Sequence, residues 1–356
     1  MLDETLESAY DQKSHLLTLE AMVFLENLQR HSQSIQQLMQ EKLNREDFFE
    51  QKILLPETKS FREANWEVKP VRKDLQDRRV IVKQSVIDIE NVSSTINAGA
   101  NLLIADFSDE AMSFDQRMRA AQNLKELIQQ ERVKENVYPT AIMIAVNNRN
   151  NEDNYSGIEI PNNLIDFGLY VFHNTKELLK LGSAPYVCLR GVSSYREATY
   201  WNNIFSFVEK EMNLFQGTIK ATVTIDQNNM NQTEEILYEL RDHCAGLHFE
   251  SEGVECINDL TRFVISVGHK RKTHVIVEDK TMKNKDRNDE RNVNGEMFER
   301  GTREVIEGFD GKCFTDTNLI PMMKAIWNHY MPEPNQIWKM RHEYSAFDSL
   351  NHSKVI

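Results

Sequence analysis

The chain has 356 residues, of which 40% are hydrophobic and 27% are charged, an ordinary composition for a globular protein. No window approaches the roughly 18–20 apolar residues that span a membrane, and MLDETLESAYDQ at the start does not resemble a signal peptide, so no membrane partner is expected. The net charge of −13 argues against nucleic-acid binding, which requires a concentrated basic surface.

The cysteines indicate a reducing compartment. The sequence contains no CxxC pair and no zinc-like spacing among its four cysteines, which are Cys188, Cys244, Cys256 and Cys313. Without an export signal, free thiols are the simplest interpretation. The final residues, NHSKVI, do not match the SKL peroxisomal signal. We therefore predict a cytoplasmic location.

Residues 1–60 are predicted to form a helical clasp that packs on the following domain. Apolar side chains recur at roughly helical spacing among Gln, Glu and Lys, at Leu17, Met22, Leu25, Leu28, Ile35, Leu38 and Leu43. The proline in Leu54-Leu55-Pro56 ends this region, because a residue that precedes proline is disfavoured in the α conformation.

Residues 61–335 alternate between strand and helix patterns, which predicts an α/β domain with a mainly parallel sheet. Strands are predicted at 79–82, 102–106, 141–146, 164–172, 186–189, 219–225 and 274–277. Helices are predicted at 92–99, 113–136, 174–181, 196–212 and 234–243. The charged stretch 279–299 is interpreted as an exposed loop and residues 336–356 as a tail.

The most informative unit is Gly217–Leu247. Apolar and polar residues alternate from Ile219 to Ile225, Asp226 follows at the end of this strand, and a helix pattern begins near Glu234. A strand that delivers an acid to its carboxyl end, followed by a polar loop and a helix, is typical of a (β/α)8 TIM barrel. The predicted fold is therefore a TIM-barrel-like α/β domain with the clasp attached.

The same unit resembles the A-type malate synthases of the glyoxylate cycle. GTIKAT and EILYELRDHCAGL carry the resemblance, which extends over most of residues 16–335 through LLPETKSFREANWEVKPVRKDLQDRRV, INAGANLLIADFSD, LIDFGLYVFHNTKELL and REATYWNNIFSF, and more weakly through HKRKTH and GFDGKCFTDTNLIP. The resemblance implies a TIM barrel transferase that condenses acetyl-CoA with glyoxylate and holds one Mg²⁺.

The positions that match the family's metal ligands are changed. Where the family has Glu in a run like LIET, this chain has Asp226, which keeps the charge on a shorter side chain. The Asp of the family's GRWDY falls on Gly253, and the residues that cradle glyoxylate fall on Glu250 to Glu252. Glu252 replaces that Asp only after a shift of one residue, and octahedral Mg²⁺ tolerates displacement poorly. The candidate metal ligands are Asp226 and Glu252.

The other site positions are also altered. The arginines of the family's RPRGWH, of which one stabilises the enolate, fall near Ala145 and Asn147, so Arg149 is a displaced candidate catalytic residue. Asp106 and Asp109 follow a predicted strand and are candidates for substrate binding, with turn formation as the alternative. The histidines His173, His243 and His248 show no metal-binding spacing, and structural roles are expected for them.

Two segments are shorter than in the family. The general base belongs to a helical domain after the barrel, whereas this sequence stops soon after MPEPNQ, so the base is expected to be missing and the barrel mouth uncovered. Between Gly253 and HKRKTH the chain is shorter by about one strand and helix. This predicts one shortened barrel unit and leaves open whether eight strands close the barrel.

The leading hypothesis is a pseudoenzyme, a non-catalytic malate synthase homologue that binds a protein partner or a second copy of itself at the uncovered mouth. The alternative is an active Mg²⁺-dependent enzyme that condenses or cleaves an acyl-CoA and a 2-oxo acid with Asp226, Glu252 and Arg149. A third candidate is an intact malate synthase, with acetyl-CoA and glyoxylate as substrates and a base from a partner chain.

Overall fold

A computed structural model describes residues 15–43, 58–131, 140–148, 160–251, 259–279 and 290–339. Eight parallel strands pair in sequence order, and the first strand pairs with the last, so the barrel closes. The strands are β1 (Val80–Gln84), β2 (Leu102–Asp106), β3 (Ala141–Asn147), β4 (Tyr186–Arg190), β5 (Lys220–Ile225), β6 (Cys244–Ser251), β7 (His274–Asp279) and β8 (Gly311–Phe314).

A helix follows each strand, which gives eight βα units. In the described part of the chain, the helices α1 (Leu19–Leu43) and α2 (Lys59–Glu63) precede the barrel. The helices after the eight strands are α3 (Ile89–Asn97), α4 (Phe114–Glu131), α5 (Asn162–Lys180), α6 (Tyr195–Glu211), α7 (Thr233–Leu240), α8 (Asp259–Lys270), α9 (Glu290–Glu307) and α10 (Ile320–Tyr330). None of the helices in the described ranges is long and apolar enough to cross a membrane.

Alternate residues of each strand divide between the barrel interior and the helix-facing exterior. One buried apolar cluster gathers interior residues such as Ile81, Ile104, Met143, Cys188 and Ile276. Their neighbours along the strands pack outward against the helices in a separate, larger cluster. The interior alternation continues to the carboxyl ends of the strands, where the side chains become polar.

The prediction of a strand at 164–172 is wrong, because this segment lies within helix α5. Its apolar run reflects burial on two sides, against the barrel and against α1. Gly168 permits the close approach of α1, since a Cβ at this position would lie 2.5 Å from Leu25 Cδ2. A helix buried on opposite faces loses the polar stripe by which helices are recognised in a sequence.

The expected shortening of one barrel unit does not occur. Strand β6 begins at Cys244, directly after the Gly217–Leu240 unit, and α8 completes its βα unit before β7 begins at His274. Strands β6 and β8 were not predicted. Strand β6 pairs with β5, and β8 pairs with β1 to close the barrel. Part of the charged segment predicted as a loop, from Glu290 onward, is helix α9, whereas residues 280–289 lie outside the described residues.

Helix α1 packs across α5 and α6 on the outside of the barrel. Leu25 is fully buried in a cluster with Ile165 and Leu169, and Ser32 Oγ lies 2.8 Å from Tyr200 Oη. Beyond the predicted barrel boundary at 335, Gln336 is buried and its side chain donates hydrogen bonds to the carbonyls of Val305 and Phe309. Residues 340–356 of the predicted tail lie outside the described residues.

Candidate functional site at the carboxyl end of the barrel

Four charged side chains from four strands meet inside the carboxyl end of the barrel. Lys83 of β1 and Arg190 of β4 are the cations, and Glu250 of β6 and Glu278 of β7 are the acids. Lys83 Nζ pairs with Glu278 Oε1, while Arg190 donates one bond of 2.9 Å to Glu278 Oε2 and another to Glu250 Oε1. We call these four residues the interior charge network. Two positive and two negative charges neutralise one another within it.

Mutual pairing fixes the ionisation of these groups. Burial would raise the pKa of Glu278, but His248, Arg190 and Lys83 outweigh this effect and hold that pKa well below its usual range. Burial would lower the pKa of Lys83, yet the facing carboxylate of Glu278 raises it. The pKa of Arg190 is likewise raised by Glu278 and Glu250 against the effect of burial. Glu278, Lys83 and Arg190 therefore carry their full charge at neutral pH.

A second group of side chains adjoins Glu278 in the barrel interior. His248 of β6 lies with its Nδ1 3.6 Å from Cys188 Sγ and its Nε2 3.4 Å from Glu278 Oε2. The second contact lacks hydrogen-bond geometry, so Nε2 is a buried nitrogen without a hydrogen-bond partner among the described residues. Burial lowers the pKa of His248 to about 4 and raises the pKa of Cys188 to about 12. His248 is therefore neutral, and the Cys188 thiol is protonated.

Asp226, the candidate metal ligand, lies directly after β5 at the carboxyl end of the barrel, as predicted from the alternation. Its carboxylate accepts hydrogen bonds from the backbone N–H (2.7 Å) and the side-chain amide (3.4 Å) of Asn228. Its own N–H donates to Asn229 Oδ1. These contacts are those of an Asx turn, in which the carboxylate shapes the loop.

Asp106 and Asp109, the substrate-binding candidates, also form turns. Asp106 Oδ1 accepts bonds from the backbone N–H and the hydroxyl of Ser108, at 3.0 and 2.5 Å. Asp109 is exposed, and its Oδ1 accepts the backbone N–H of Ala111 at 2.9 Å. Both residues make the contacts of turn-forming acids, which was the alternative to substrate binding.

The remaining candidates, Arg149 and Glu252, lie outside the described residues, so their convergence with Asp226 stays a prediction. The positions that match the family's arginines carry no cation: Ala145 is buried in the barrel interior, and Asn147 donates a bond of 2.9 Å to Glu110 Oε1. Within the described ranges, Lys83 of β1 and Arg190 of β4 provide cations at this end of the barrel.

The described residues do not fit a magnesium site. Mg²⁺ prefers hard oxygen ligands in an octahedron, usually one or two carboxylates with water and substrate. Glu250 and Glu278 are each paired with a cation of the interior charge network. The carboxylate of Asp226 is engaged in its turn, and the nearest grouping of metal-ligating types includes His248 and Cys313, which offer nitrogen and sulfur.

The sequence did not lead to the interior charge network, because the candidate residues were chosen as the positions that match the motifs of the malate synthases. A direct signal was present. A charged residue stands near the carboxyl end of each of four apolar strand patterns, in VIVK, YVCLR, LHFE and HVIVE. A charged side chain at a strand position that points into the barrel requires a partner from another strand, since an unpaired buried charge is costly.

The comparisons with known proteins agree with this architecture. The family model described as "Malate synthase, TIM barrel domain" matches residues 149–251. Malate synthase of Myxococcus xanthus is 30% identical over 342 residues, which cover 81% of this chain and 61% of the relative. Malate synthase A of Escherichia coli is 32% identical over 258 residues, covering 67% of this chain and 48% of that protein.

Among solved structures, a malate synthase of Haloferax volcanii superposes with a TM-score of 0.55 at 13% sequence identity, covering 81% of this chain and 82% of the other. The fold and the polar carboxyl end define a TIM barrel of the (β/α)8 class. Within that class, the chain is a homologue of the malate synthases. It spans 61% and 48% of the lengths of the two curated relatives named above.

Proposed function

We propose that this chain is a non-catalytic member of the malate synthase group, in which the barrel serves binding or assembly and does not condense acetyl-CoA with glyoxylate. The observation that carries this proposal is the interior charge network. Malate synthase chemistry needs carboxylates that are open to a metal and a cation that is free to stabilise an enolate. Here Glu250, Glu278, Arg190 and Lys83 satisfy one another.

The electrostatics make this arrangement hard to convert into a magnesium site. An octahedral Mg²⁺ ion that took oxygen ligands from both Glu250 and Glu278 would displace Arg190, which bridges them, and an uncompensated buried charge costs about 3–5 kcal/mol. Asp226 retains a half-buried position at the carboxyl end of the barrel, but its carboxylate is engaged in a turn. Binding Mg²⁺ there would require the loop at Asn228 to rearrange.

One observation favours an active enzyme as the second candidate. Asp106 and Asp226 both stand at carboxyl ends of barrel strands on the interior parity, and both are half-buried. Related structures include a magnesium and glyoxylate complex of the Haloferax volcanii malate synthase. An Mg²⁺-dependent enzyme acting on an acyl-CoA and a 2-oxo acid would use Asp226 with Glu252 and Arg149.

The test is release of free CoA thiol from acetyl-CoA in the presence of glyoxylate and Mg²⁺. We expect no glyoxylate-dependent release above the protein-free reaction, with Escherichia coli malate synthase A assayed in parallel as the active reference. Glyoxylate-dependent turnover that disappears in Asp226→Asn would overturn the proposal and establish the second candidate. Asp316→Asn is the matched control, because this acid also follows a barrel strand and its Oδ1 accepts the backbone N–H of the residue two positions on, Asn318, at 3.0 Å.

The proposed partner is a protein or a second copy of this chain at the barrel mouth. Sedimentation equilibrium of the purified chain distinguishes these two cases, since self-association depends on protein concentration. A cytoplasmic location also remains part of the proposal, and the buried free thiols Cys188, Cys244 and Cys313 are compatible with it.

A further inference from the structure

We propose that His248, Glu278 and Cys313 form a binding site for a thiophilic divalent metal ion of the zinc class. The three residues come from consecutive strands, β6, β7 and β8, and the register places Glu278 directly beside Cys313. This site is distinct from Asp226 and Glu252, and it does not depend on whether the barrel is catalytic.

The distances suit a small metal ion. One ligand atom from each residue lies within 4.8 Å of the other two. A point central to three such atoms is about 2.8 Å from each of them at most, and zinc bonds are about 2.0–2.1 Å to nitrogen and about 2.3 Å to sulfur. Side-chain shifts of about 0.5 Å at the sulfur and about 0.7 Å at the nitrogen and the oxygen would therefore complete three bonds. A water molecule supplies the fourth position in sites of this kind.

The ligand atoms select the class of metal. An imidazole, a thiol and a carboxylate are a typical donor set for Zn²⁺, whereas Mg²⁺ and Ca²⁺ take oxygen ligands. All three side chains are buried. His248 is only 1% exposed, yet its Nε2 has no hydrogen-bond partner within the described part of the chain. Buried polar atoms are nearly always satisfied, so this nitrogen requires a partner, and a metal ion is one.

Surrounding contacts would hold the ligands in place. Glu278 accepts bonds from Lys83 and Arg190, and a carboxylate oxygen has a further lone pair with which it can bind metal. The other ring nitrogen of His248 contacts Cys188 Sγ at 3.6 Å. Metal-binding histidines and carboxylates are usually oriented by such outer contacts.

Charge sets the affinity. Metal binding by Cys313 transfers the thiol proton to solvent, so the ion and the thiolate together add one positive charge to a neutral network. Lys83 then repels the metal through the carboxylate that they share. Replacing Lys83 with the neutral, similarly shaped Met is therefore expected to tighten metal binding, an effect that a purely structural cluster would not produce.

The experiment uses Co²⁺, which reports sulfur coordination by a charge-transfer absorption in the near ultraviolet. The full chain is stripped with a chelator and titrated with Co²⁺ and then Zn²⁺. We expect one Co²⁺ per chain with a thiolate band that one equivalent of Zn²⁺ abolishes. Cys313→Ser should lose the band, and Lys83→Met should shift the titration to at least tenfold lower Co²⁺.

Matched controls are Cys244→Ser and Cys256→Ser. Cys244 is buried elsewhere in the barrel, with its Sγ 3.9 Å from Thr273 Oγ1. Both variants should keep the band. The proposal is overturned if the wild-type chain shows no thiolate band, or if the band survives Cys313→Ser or vanishes in either control. The wild-type spectrum decides the matter even if Cys313→Ser does not fold, and it is independent of the CoA-release assay.

Discussion

Lys83 and Glu278 form a buried ion pair inside the barrel, although 195 residues separate them in the chain. They belong to β1 and β7, which do not pair directly, because β8 lies between them. The contact therefore crosses the interior and links the first and penultimate strands. Arg190 extends the link to β4, on the other side of the barrel.

Removing one member of this pair should be more harmful than removing both. Glu278→Leu leaves Lys83 as an uncompensated buried cation, and we expect a loss of about 3–5 kcal/mol in the free energy of unfolding. Adding Lys83→Met restores charge balance, since Arg190 and Glu250 remain paired. Urea unfolding with a chelator present measures the four-variant cycle. A double variant as unstable as the sum of the single losses would contradict the pairing.

Stability should fall in acid partly because of His274. Burial and the neighbouring Arg78 lower its pKa to about 3, and its Nε2 lies 3.0 Å from the Gln76 carbonyl, to which it donates as the neutral ring. Between about pH 6.5 and pH 3, the unfolded chain therefore binds a proton that the folded chain does not. Stability is present above this window and is lost as the pH falls through it.

His274→Gln removes this contribution. The slope of unfolding free energy against pH, measured by urea titrations between pH 6 and pH 4, should decrease by about 1.4 kcal/mol per pH unit, the value for one proton. An unchanged slope would show that His274 is protonated in the folded chain, which its buried environment argues against.

Two glycines in helices should respond to alanine with opposite signs. In Gly168→Ala of α5, the new Cβ would lie 2.5 Å from Leu25 Cδ2, so overpacking against α1 should cost about 1–3 kcal/mol. In Gly295→Ala of α9, the Cβ meets nothing within 4 Å, so the gain in helix propensity should stabilise by about 0.5–1 kcal/mol. Thermal unfolding of both variants checks the signs, and stabilisation by Gly168→Ala would contradict the packing of α1.

Arg271 should be irreplaceable by lysine. Its guanidinium donates to the carbonyls of Ala64 and Trp66, to further carbonyls of the same segment and to the carboxylate of Glu234. Arg271→Lys keeps the charge but loses the planar fork, so a loss of about 2–3 kcal/mol is expected. Because the guanidinium lies 4.1 Å from the centroid of the Trp66 ring, a change in tryptophan fluorescence should accompany the loss. Lys270→Arg is the matched control at the adjacent, half-exposed partner of Glu234.

The fold was largely predictable because most of the barrel strands are buried and therefore appear in the sequence as short apolar runs. Six apolar runs predicted strands β1, β2, β3, β4, β5 and β7 in nearly their observed positions. Helix α5 was misassigned because it packs against α1 as well as the barrel, so its sequence is apolar on several sides. Burial that comes from a distant element is not visible in local periodicity.

The candidate site was predicted less well, for a physical reason. The position of Asp226 at a strand end followed from alternation, whereas the partners of Lys83 and Glu278 depend on which strands face one another across the closed barrel. That information is tertiary. Strand β6 was also missed, and with it the proximity of His248 to Glu278, because the glycine in CAGLHFE interrupts the apolar pattern.

The position of α1 has a consequence for biosynthesis. Its apolar side, with Leu25 and Leu28, is covered by α5 and α6, both of which are translated much later. While the ribosome completes the first three strands of the barrel, neither α5 nor α6 has been made, so the apolar side of this helix stays exposed and can bind chaperones. Helix α1 is therefore made well before the two helices against which it docks.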